Sequence, residues 1–150
     1  MSDILDRSPA VRIELRLPDI LSFKRLRQDT HWGVPEDAHI DLALKNSLFG
    51  AVAISKSQTV GMIRIVGDGA LNLYTQDVIV AHAFRGQGIG RSLVQSAIHW
   101  MQETIQPSAT IGLMAADGQA AFYEAFGFTV RPSTGVGPGM HAQLSNLRNR

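Results

Sequence analysis

The segment that decides the fold reads Asp77-Val78-Ile79-Val80-Ala81-His82-Ala83-Phe84-Arg85-Gly86-Gln87-Gly88-Ile89-Gly90-Arg91-Ser92. It begins with the apolar end of a strand predicted over 71–80, and it runs into an amphipathic helix predicted over 88–103. Three glycines alternate where the helix opens, and glycine lets the backbone approach a ligand without a Cβ in the way. Because a helix N-terminus also offers unpaired N–H groups and a positive dipole end, this junction is typical of a pyrophosphate site.

Two familiar phosphate-binding motifs do not fit this turn. Counted from Gly86, the dinucleotide pattern needs its third glycine at position 91, where the sequence has Arg91. A P-loop needs a Gly-Lys pair, and the sequence contains none. The residues alone leave two alternatives open, which are another pyrophosphate ligand and a glycine-rich turn without a ligand.

Composition bounds the class of protein. The length of 150 residues suits one domain, so we predict a single domain over 1–150 with a loose N-terminal tail over 1–10. A hydrophobic fraction of 45% and a charged fraction of 18% indicate a globular chain. The net charge of +1 gives no reason to expect a nucleic-acid or membrane partner. No signal-peptide core and no apolar run of membrane-spanning length is present, so we expect a cytoplasmic protein.

Cysteine is absent from the sequence, which excludes disulfides, Cys-ligated zinc and thiol catalysis. No pair of histidines has the spacing of a zinc site, so we expect no metal.

Hydrophobic periodicity predicts the order β-α-α-β-β-β-α-β-α-β-β. The two early helices are expected after Pro18 and over 35–46, and the last helix over 118–126. A strand-helix-strand crossover in the middle of this order predicts an α/β fold with a mixed sheet and at least one parallel pair. We expect the strand over 110–115 to be interior, because it is too apolar for an edge. The remaining strands are expected over 11–17, 49–55, 58–66, 71–80, 128–131 and near 140–144.

A second motif lies about thirty residues after the glycine turn and reads Asp117-Gly118-Gln119-Ala120-Ala121-Phe122-Tyr123-Glu124-Ala125-Phe126-Gly127-Phe128. Together with the spacing Arg85-x-x-Gly88-x-Gly90, it resembles the GNAT-type N-acetyltransferases, whose element order also matches along nearly the whole chain. Residues 74–80 and 137–140 are similar to small bacterial members of undefined substrate. The match departs at Asp117, where the family usually has an asparagine that contacts the pantetheine arm.

The resemblance implies that acetyl-CoA is the co-substrate and that the glycine turn holds its pyrophosphate. It also implies that the strand before the turn pairs with the pantetheine arm through its backbone and supplies an N–H to the thioester oxygen. The implied cofactor-binding residues are Val78, Ile79, Val80, Arg85, Gly86, Gln87, Gly88, Ile89, Gly90, Arg91, Asp117 and Tyr123.

The same resemblance implies transfer of the acetyl group to a primary amine of a small molecule, by direct attack in a ternary complex. Tyr123 is the expected acid for the leaving thiolate, and the alternative is an aromatic side chain that only packs. Asp77 is a candidate catalytic base, and the alternative is a surface or hydrogen-bonding role. Strand alternation predicts Gln76, Val78 and Val80 on one face, with Asp77 and Ile79 on the other. The candidate acceptor-binding residues are His31, Trp32, Tyr74, Gln76 and Met140.

Two other functions compete with this interpretation. One is acetylation of a protein or peptide amine, and the other is a non-catalytic regulator that binds acyl-CoA. A homodimer is compatible with a small domain of this kind.

Overall fold

A five-stranded sheet organises the fold, in a computed structural model that describes residues 10–149. The chain divides into two units, residues 1–113 and 114–150, and the sheet belongs wholly to the first. Apart from the exposed Ala10, the tail predicted over 1–10 lies outside the described residues. The strands are β1 Val11–Glu14, β2 Phe49–Ser55, β3 Gln58–Gly67, β4 Asn72–Val80 and β5 Thr110–Gly112. The helices are α1 Ile20–Gln28, α2 Asp37–Lys45, α3 Ile89–Thr104 and, in the second unit, α4 Ala120–Glu124.

The sheet is mixed, as the sequence predicts. Its strands follow the order β1-β2-β3-β4-β5, with antiparallel pairing from β1 to β4 and parallel pairing between β4 and β5. The crossover between β4 and β5 is α3, and parallel strands require a connection of this kind. However, β5 lies at an edge of the sheet, so the prediction of an interior strand is wrong. Apolar residues in a strand report what covers its faces, and they do not report whether both of its edges are paired.

Local turn chemistry sets the two hairpins and the start of α1. Lys56 and Ser57 have φ angles of 47° and 67°, which suits the tight turn between β2 and β3. The Asp68 carboxylate accepts from the N–H groups of Ala70, Leu71 and Asn72, and these bonds hold its pKa below the ordinary value. Asp19 caps α1 by accepting from the Ser22 N–H at 2.8 Å.

Helices cover both faces of the sheet in the first unit. On one face the buried members of α1 and α2 pack against strand residues, in a cluster of Phe23, Leu26, Ile40, Leu44, Val52, Ile54, Met62 and Ile79. On the other face α3 packs so closely that a Cβ added at Gly61 would lie 3.1 Å from Leu93 Cδ1. Trp100, near the end of α3, stacks on Phe49 with ring centroids 5.0 Å apart.

A β-bulge interrupts β4 near its C-terminal end. Met62 pairs with Ile79 and Arg64 pairs with Gln76, so two residues of β4 oppose one residue of β3. Asp77 is in the bulge, with a φ of 54° that is uncommon outside glycine. Cross-strand partners share a face, so Gln76 and Ile79 lie on the same side of the sheet. The predicted grouping of Gln76 with Val78 and Val80 is therefore wrong, because the bulge shifts the alternation.

The second unit contains fewer strands than the sequence predicts. Residues 128–131 and 140–144 form no strand, and the only pairing described between 114 and 149 is an isolated bridge between Ser133 and Val136. Pro132 and Pro138 lack an N–H for a ladder, and glycine weakens a strand at 135, 137 and 139. In place of the last strand, Leu144–Asn146 forms one 3-10 turn.

Candidate functional site

The glycine turn forms an open cradle at the N-terminus of α3. Gly86 and Gly88 have φ angles of 76° and 82°, which glycine adopts without strain, and Gly88 is the N-cap residue. No side chain caps this helix, and a Cβ added at either glycine would meet nothing within 4 Å. Helix geometry leaves the first N–H groups, those of Ile89, Gly90 and Arg91, without partners inside the helix. The cradle therefore presents N–H donors to an anion on an unobstructed surface.

Anchoring and charge come from residues on either side of the cradle. Ile89 is buried and fixes the first turn of α3 in the core, whereas Arg85, Gln87 and Arg91 are exposed. Arg85 Nε donates to the Val80 carbonyl oxygen at 3.0 Å, which holds this side chain against the end of β4. The turn is therefore anchored in the core by Ile89, and the guanidinium groups of Arg85 and Arg91 lie close in sequence to its N–H donors.

The edge of β4 opens towards the same turn. Parallel pairing with β5 covers only Asn72, Leu73 and Tyr74. Beyond this point, within residues 10–113, no strand pairs with β4 on the side away from β3. Backbone groups on an open strand edge can pair with an extended amide-containing ligand. Val78, Ile79 and Val80 therefore have no strand partner on this side of β4 within residues 10–113.

Asp77 lies beneath this edge in a buried ion-pair cluster with Arg27 and Arg64. Arg27 Nη1 donates to Asp77 Oδ1 at 2.8 Å, and Arg64 Nε donates to Asp77 Oδ2 at 2.7 Å. The Asp77 side chain is fully buried, and a buried carboxylate requires such partners. Both oxygens already accept from guanidinium groups, so the side chain serves the cluster as a hydrogen-bond acceptor. The geometry favours the hydrogen-bonding alternative over the role of catalytic base.

Sequence reasoning missed the two arginines of this cluster. A signal was available, because Arg64 is the only charged residue in the strand predicted over 58–66 and Asp77 the only one in the strand predicted over 71–80, and a charge buried in a sheet needs an opposite charge nearby. The predicted hairpin between these strands would bring the two side chains within reach. Arg27 gives no comparable signal, since a basic residue in the last turn of a helix is common on a solvent-exposed surface.

The loop between α1 and α2 holds two of the predicted acceptor-binding residues, His31 and Trp32. Both are exposed, with 44% of Trp32 accessible. The loop is tied to Arg27, whose Nε donates to the Gly33 carbonyl and whose Nη2 donates to the Trp32 carbonyl, each at 2.9 Å. The Arg27 guanidinium also lies 5.6 Å from the Trp32 ring centroid. The structure therefore brings the predicted acceptor loop to the bulge of β4, through a residue that the sequence did not single out.

The other predicted acceptor residues are divided between the two units. Tyr74 and Gln76 are half-buried on β4, in the same unit as Trp32. Met140 belongs to the second unit, and 86% of it is exposed.

Tyr123 is the centre of an aromatic cluster in the second unit. Its ring centroid lies 4.9 Å from that of Phe122 and 6.1 Å from that of Phe128, both in edge-to-face geometry. Burial raises the pKa of the Tyr123 hydroxyl above its ordinary value of 10.0, so the group stays protonated to higher pH. Asp117, five residues before Phe122, is exposed. Tyr123 therefore packs against other aromatic rings and also keeps a protonated hydroxyl group.

A cavity of about 340 Å³ lies far from the cradle, at the opposite end of α3. Trp100 lines it and comes 11 residues after Ile89, which corresponds to about 16 Å along a helix. The cavity is therefore separate from the glycine turn. Its lining consists of Leu15, Arg16, Leu17, Ser47, Leu48, Phe49, Gly50 and Trp100.

Neither a cluster of metal ligands nor a membrane-spanning helix occurs in the part of the chain that the structure describes. Among residues 10–149, no group of three or more His, Cys, Asp or Glu side chains is arranged to hold a metal ion. None of the helices in that range has the length and hydropathy that crossing a membrane requires.

Comparison with known proteins gives a consistent result. The family model for the acetyltransferase (GNAT) domain matches residues 46–130. A solved structure of a probable acetyltransferase from meticillin-resistant Staphylococcus aureus has a TM-score of 0.80 at 22% identity, covering 89% of this chain and 99% of that chain. The structure of a GNAT-family acetyltransferase from Streptococcus pneumoniae has a TM-score of 0.73 at 28% identity, covering 89% and 98% of the two chains.

A curated relative from Glycine max carries the name histone acetyltransferase TAP1. It is 26% identical over 125 residues, which are 76% of this chain and 53% of the relative. The chain spans about half the length of three curated relatives that it matches, including this one.

Proposed function

The chain belongs to the GNAT acetyltransferase family, and from this premise we propose that it transfers the acetyl group of acetyl-CoA to a primary amine of a small molecule. The observation that carries the proposal is the glycine turn, which lies in the connection from β4 to α3 and presents open N–H donors at the start of α3. A pyrophosphate fits these donors by charge and by space, because no side chain of the described residues fills the cradle at Gly86 or Gly88.

The open edge of β4 supports the same donor. Acetyl-CoA carries amides in its pantetheine arm, and Val78, Ile79 and Val80 offer backbone partners for them beside the turn. Arg85 and Arg91 add positive charge next to the phosphates. Asp117 would meet the arm with a carboxylate, which keeps an acceptor but lacks the amide donor that the family usually has there.

Acetyl-CoA, when bound, would supply a thioester carbonyl for the amine nitrogen to attack. A C–N bond would form and the C–S bond would break, and the proton that the nitrogen loses would balance the one that the thiolate takes up. The chain must favour the neutral amine, since neutralising an amine of pKa ~10.4 at pH 7 costs roughly 4–5 kcal/mol. A backbone N–H of β4, at the residues Val78 to Val80, is proposed to meet the developing charge on the carbonyl oxygen. Tyr123 is proposed as the proton donor to the thiolate, and Asp77 as a hydrogen-bonding residue that holds the β4 bulge.

A small amine with an apolar body is the proposed acceptor. Trp32 and Val34 expose apolar surface in the loop that Arg27 holds beside the bulge. Exposed aromatic surface of this kind suits stacking with an apolar or aromatic amine. A protein amine is the second candidate, and it is favoured by one observation, the histone acetyltransferase name of the soybean relative.

Binding and turnover test the proposal in two steps. Calorimetric titration with acetyl-CoA is expected to show one site. A thiol-release assay is then run with acetyl-CoA over polyamines, aromatic amines, amino sugars, amino acids and a lysine-rich peptide.

Each outcome has a defined meaning. Turnover with a small amine and none with the peptide supports the proposal, and the reverse result favours the protein amine. Tight binding of acetyl-CoA without turnover of any acceptor points to a non-catalytic acyl-CoA-binding regulator. No binding of acetyl-CoA at all would refute the assignment of the glycine turn.

A further inference from the structure

The guanidinium group of Arg27 connects β4 to the segment over 29–36, which we call the Trp32 loop. Arg27, in the last turn of α1, uses all three of its nitrogens as donors: to Asp77 Oδ1, to the Trp32 carbonyl and to the Gly33 carbonyl, at 2.8, 2.9 and 2.9 Å. Its side chain is only 12% exposed. The planar fork of an arginine can make these bonds at the same time, whereas a lysine ammonium presents a point charge without that geometry.

The loop that Arg27 holds has little other support. Residues 29–36 form no helix or strand. Within this segment, Thr30 makes short-range bonds to the Arg27 carbonyl and to the Trp32 N–H. Because a loop with few buried contacts opens readily, the two carbonyl bonds to Arg27 have a large share in its position.

Arg27 itself is fixed by its surroundings. It lies over the Phe23 ring at 5.9 Å and over the Trp32 ring at 5.6 Å. Its partner Asp77 is held on the other oxygen by Arg64, which in turn bonds to Ser47 Oγ. A guanidinium fixed in this way is a rigid template, so the loop carbonyls bind to a preformed donor.

The same helix end also contacts the entry to the glycine turn. Asp29, the C-cap residue of α1, accepts from the His82 N–H at 3.3 Å. The loop that carries Trp32 is therefore anchored to β4 through Arg27 and to the turn through Asp29.

We propose that Arg27 is a positioning residue that holds the Trp32 loop in place for the acceptor amine. This inference rests on the proposed function for its kinetic consequence, but its structural part concerns only Arg27 and the loop. Arg27 touches neither substrate in this scheme and acts through Trp32. Loss of the two carbonyl bonds would lower the fraction of molecules with the loop in its binding position, and the apparent acceptor affinity would fall by the same factor.

The test uses Arg27→Lys in a Trp100→Phe background. The chain has two tryptophans, so fluorescence in this background reports Trp32 alone. Phenylalanine keeps an aromatic ring against Phe49. Arg25→Lys is the matched control, because Arg25 lies in the same last turn of α1 and donates to Thr59 instead of the loop.

We expect Arg27→Lys to increase acrylamide quenching of Trp32 relative to Arg25→Lys. A loop in place for about a tenth of the time raises the acceptor KM about tenfold, with kcat and the acetyl-CoA Kd unchanged. Arg27→Met is the second variant. It removes all three donors and leaves Asp77 matched one-to-one with Arg64, so no carboxylate is left buried without a partner.

Three outcomes would overturn the proposal. Quenching of Trp32 equal in Arg27→Lys, Arg27→Met and Arg25→Lys would show that the loop does not depend on Arg27. An acceptor KM at the control value, despite increased quenching, would separate the loop from acceptor binding. Equal losses of acetyl-CoA affinity, kcat and thermal stability would assign Arg27 to general folding. If the wild type turns over no amine, the proposed function fails, while the quenching comparison still decides whether Arg27 positions the loop.

Discussion

Replacement of Gly88 by alanine separates backbone strain from ligand contact at the cradle. Gly88 has a φ of 82° and a ψ of 7°, a left-handed conformation that costs a non-glycine residue roughly 1–2 kcal/mol. The alanine also restricts the unfolded chain, which returns about 0.4–1 kcal/mol. We therefore expect Gly88→Ala to lose about 1 kcal/mol of stability, which in a chain of this size lowers Tm by roughly 2–4 °C.

The effect on acetyl-CoA binding should be much larger than this strain. The new methyl group would meet no protein atom within 4 Å, so it would project into the open space that we propose for the pyrophosphate, beside the first N–H groups of α3. Loss of one hydrogen bond to a charged group costs about 1.5–3 kcal/mol, and each 1.4 kcal/mol is tenfold in affinity. The expected increase in Kd is therefore about ten- to a hundredfold. Gly88→Asp adds a carboxylate facing the phosphates and should abolish binding.

Gly69→Ala is the matched control for this measurement. Gly69 has a φ of 74° in the turn between β3 and β4, and an added Cβ would make only an ordinary contact of 3.9 Å with Leu48. Calorimetry should find the same loss of stability in both variants and a weakened acetyl-CoA Kd only in Gly88→Ala. Equal Kd values for the two variants and the wild type would refute the assignment of the glycine turn as the phosphate site.

Two further predictions concern single side chains. Tyr123→Phe should lower kcat by at least about a hundredfold, because the variant lacks the general acid. The acetyl-CoA Kd, measured by titration, should be unchanged. A variant with the wild-type kcat would assign Tyr123 to packing. Because burial raises the pKa of Tyr123 above 10.0, the wild-type rate should not fall through loss of this acid until the pH exceeds that value. Asp19→Ala should cost about 1 kcal/mol in urea unfolding at pH 7, through loss of the cap on Ser22. The Ser22 N–H lowers the pKa of Asp19 in the folded protein below its ordinary value of 3.8. The charge-dependent part of this stability is therefore complete above pH 3.8, and it disappears as the pH falls through the lowered pKa of the folded protein. A stability difference between variant and wild type that is independent of pH would contradict this reasoning.

Much of the first unit could be predicted because its signals are local. The strand β2 has the predicted bounds, and α3 differs from its prediction by one residue at each end. Alternation and helical periodicity report which faces are buried, and that information is contained within a few consecutive residues. The second unit was less predictable, because a short run of alternating apolar and polar residues such as 128–131 forms a strand only if a partner strand is available for its N–H and C=O groups.

The candidate site shows the same division between local and distant information. The left-handed backbone at Gly86 and Gly88 and the open start of α3 could be predicted from the sequence, because both are local properties. The bulge at Asp77 could not be assigned in this way. It depends on the register between β3 and β4, and nothing in the alternation of β4 marks it.

The sequence by itself determined the order of the central strands and helices and the open glycine turn at the start of α3. Tertiary structure decided which charges meet, since Arg27 and Asp77 are 50 positions apart and Arg64 reaches Asp77 from another strand. A buried carboxylate is stable only where the fold supplies partners, and the identity of those partners follows from packing. The same ion-pair cluster fixes the Trp32 loop against β4, so the position of this loop depends on residues that no local motif connects.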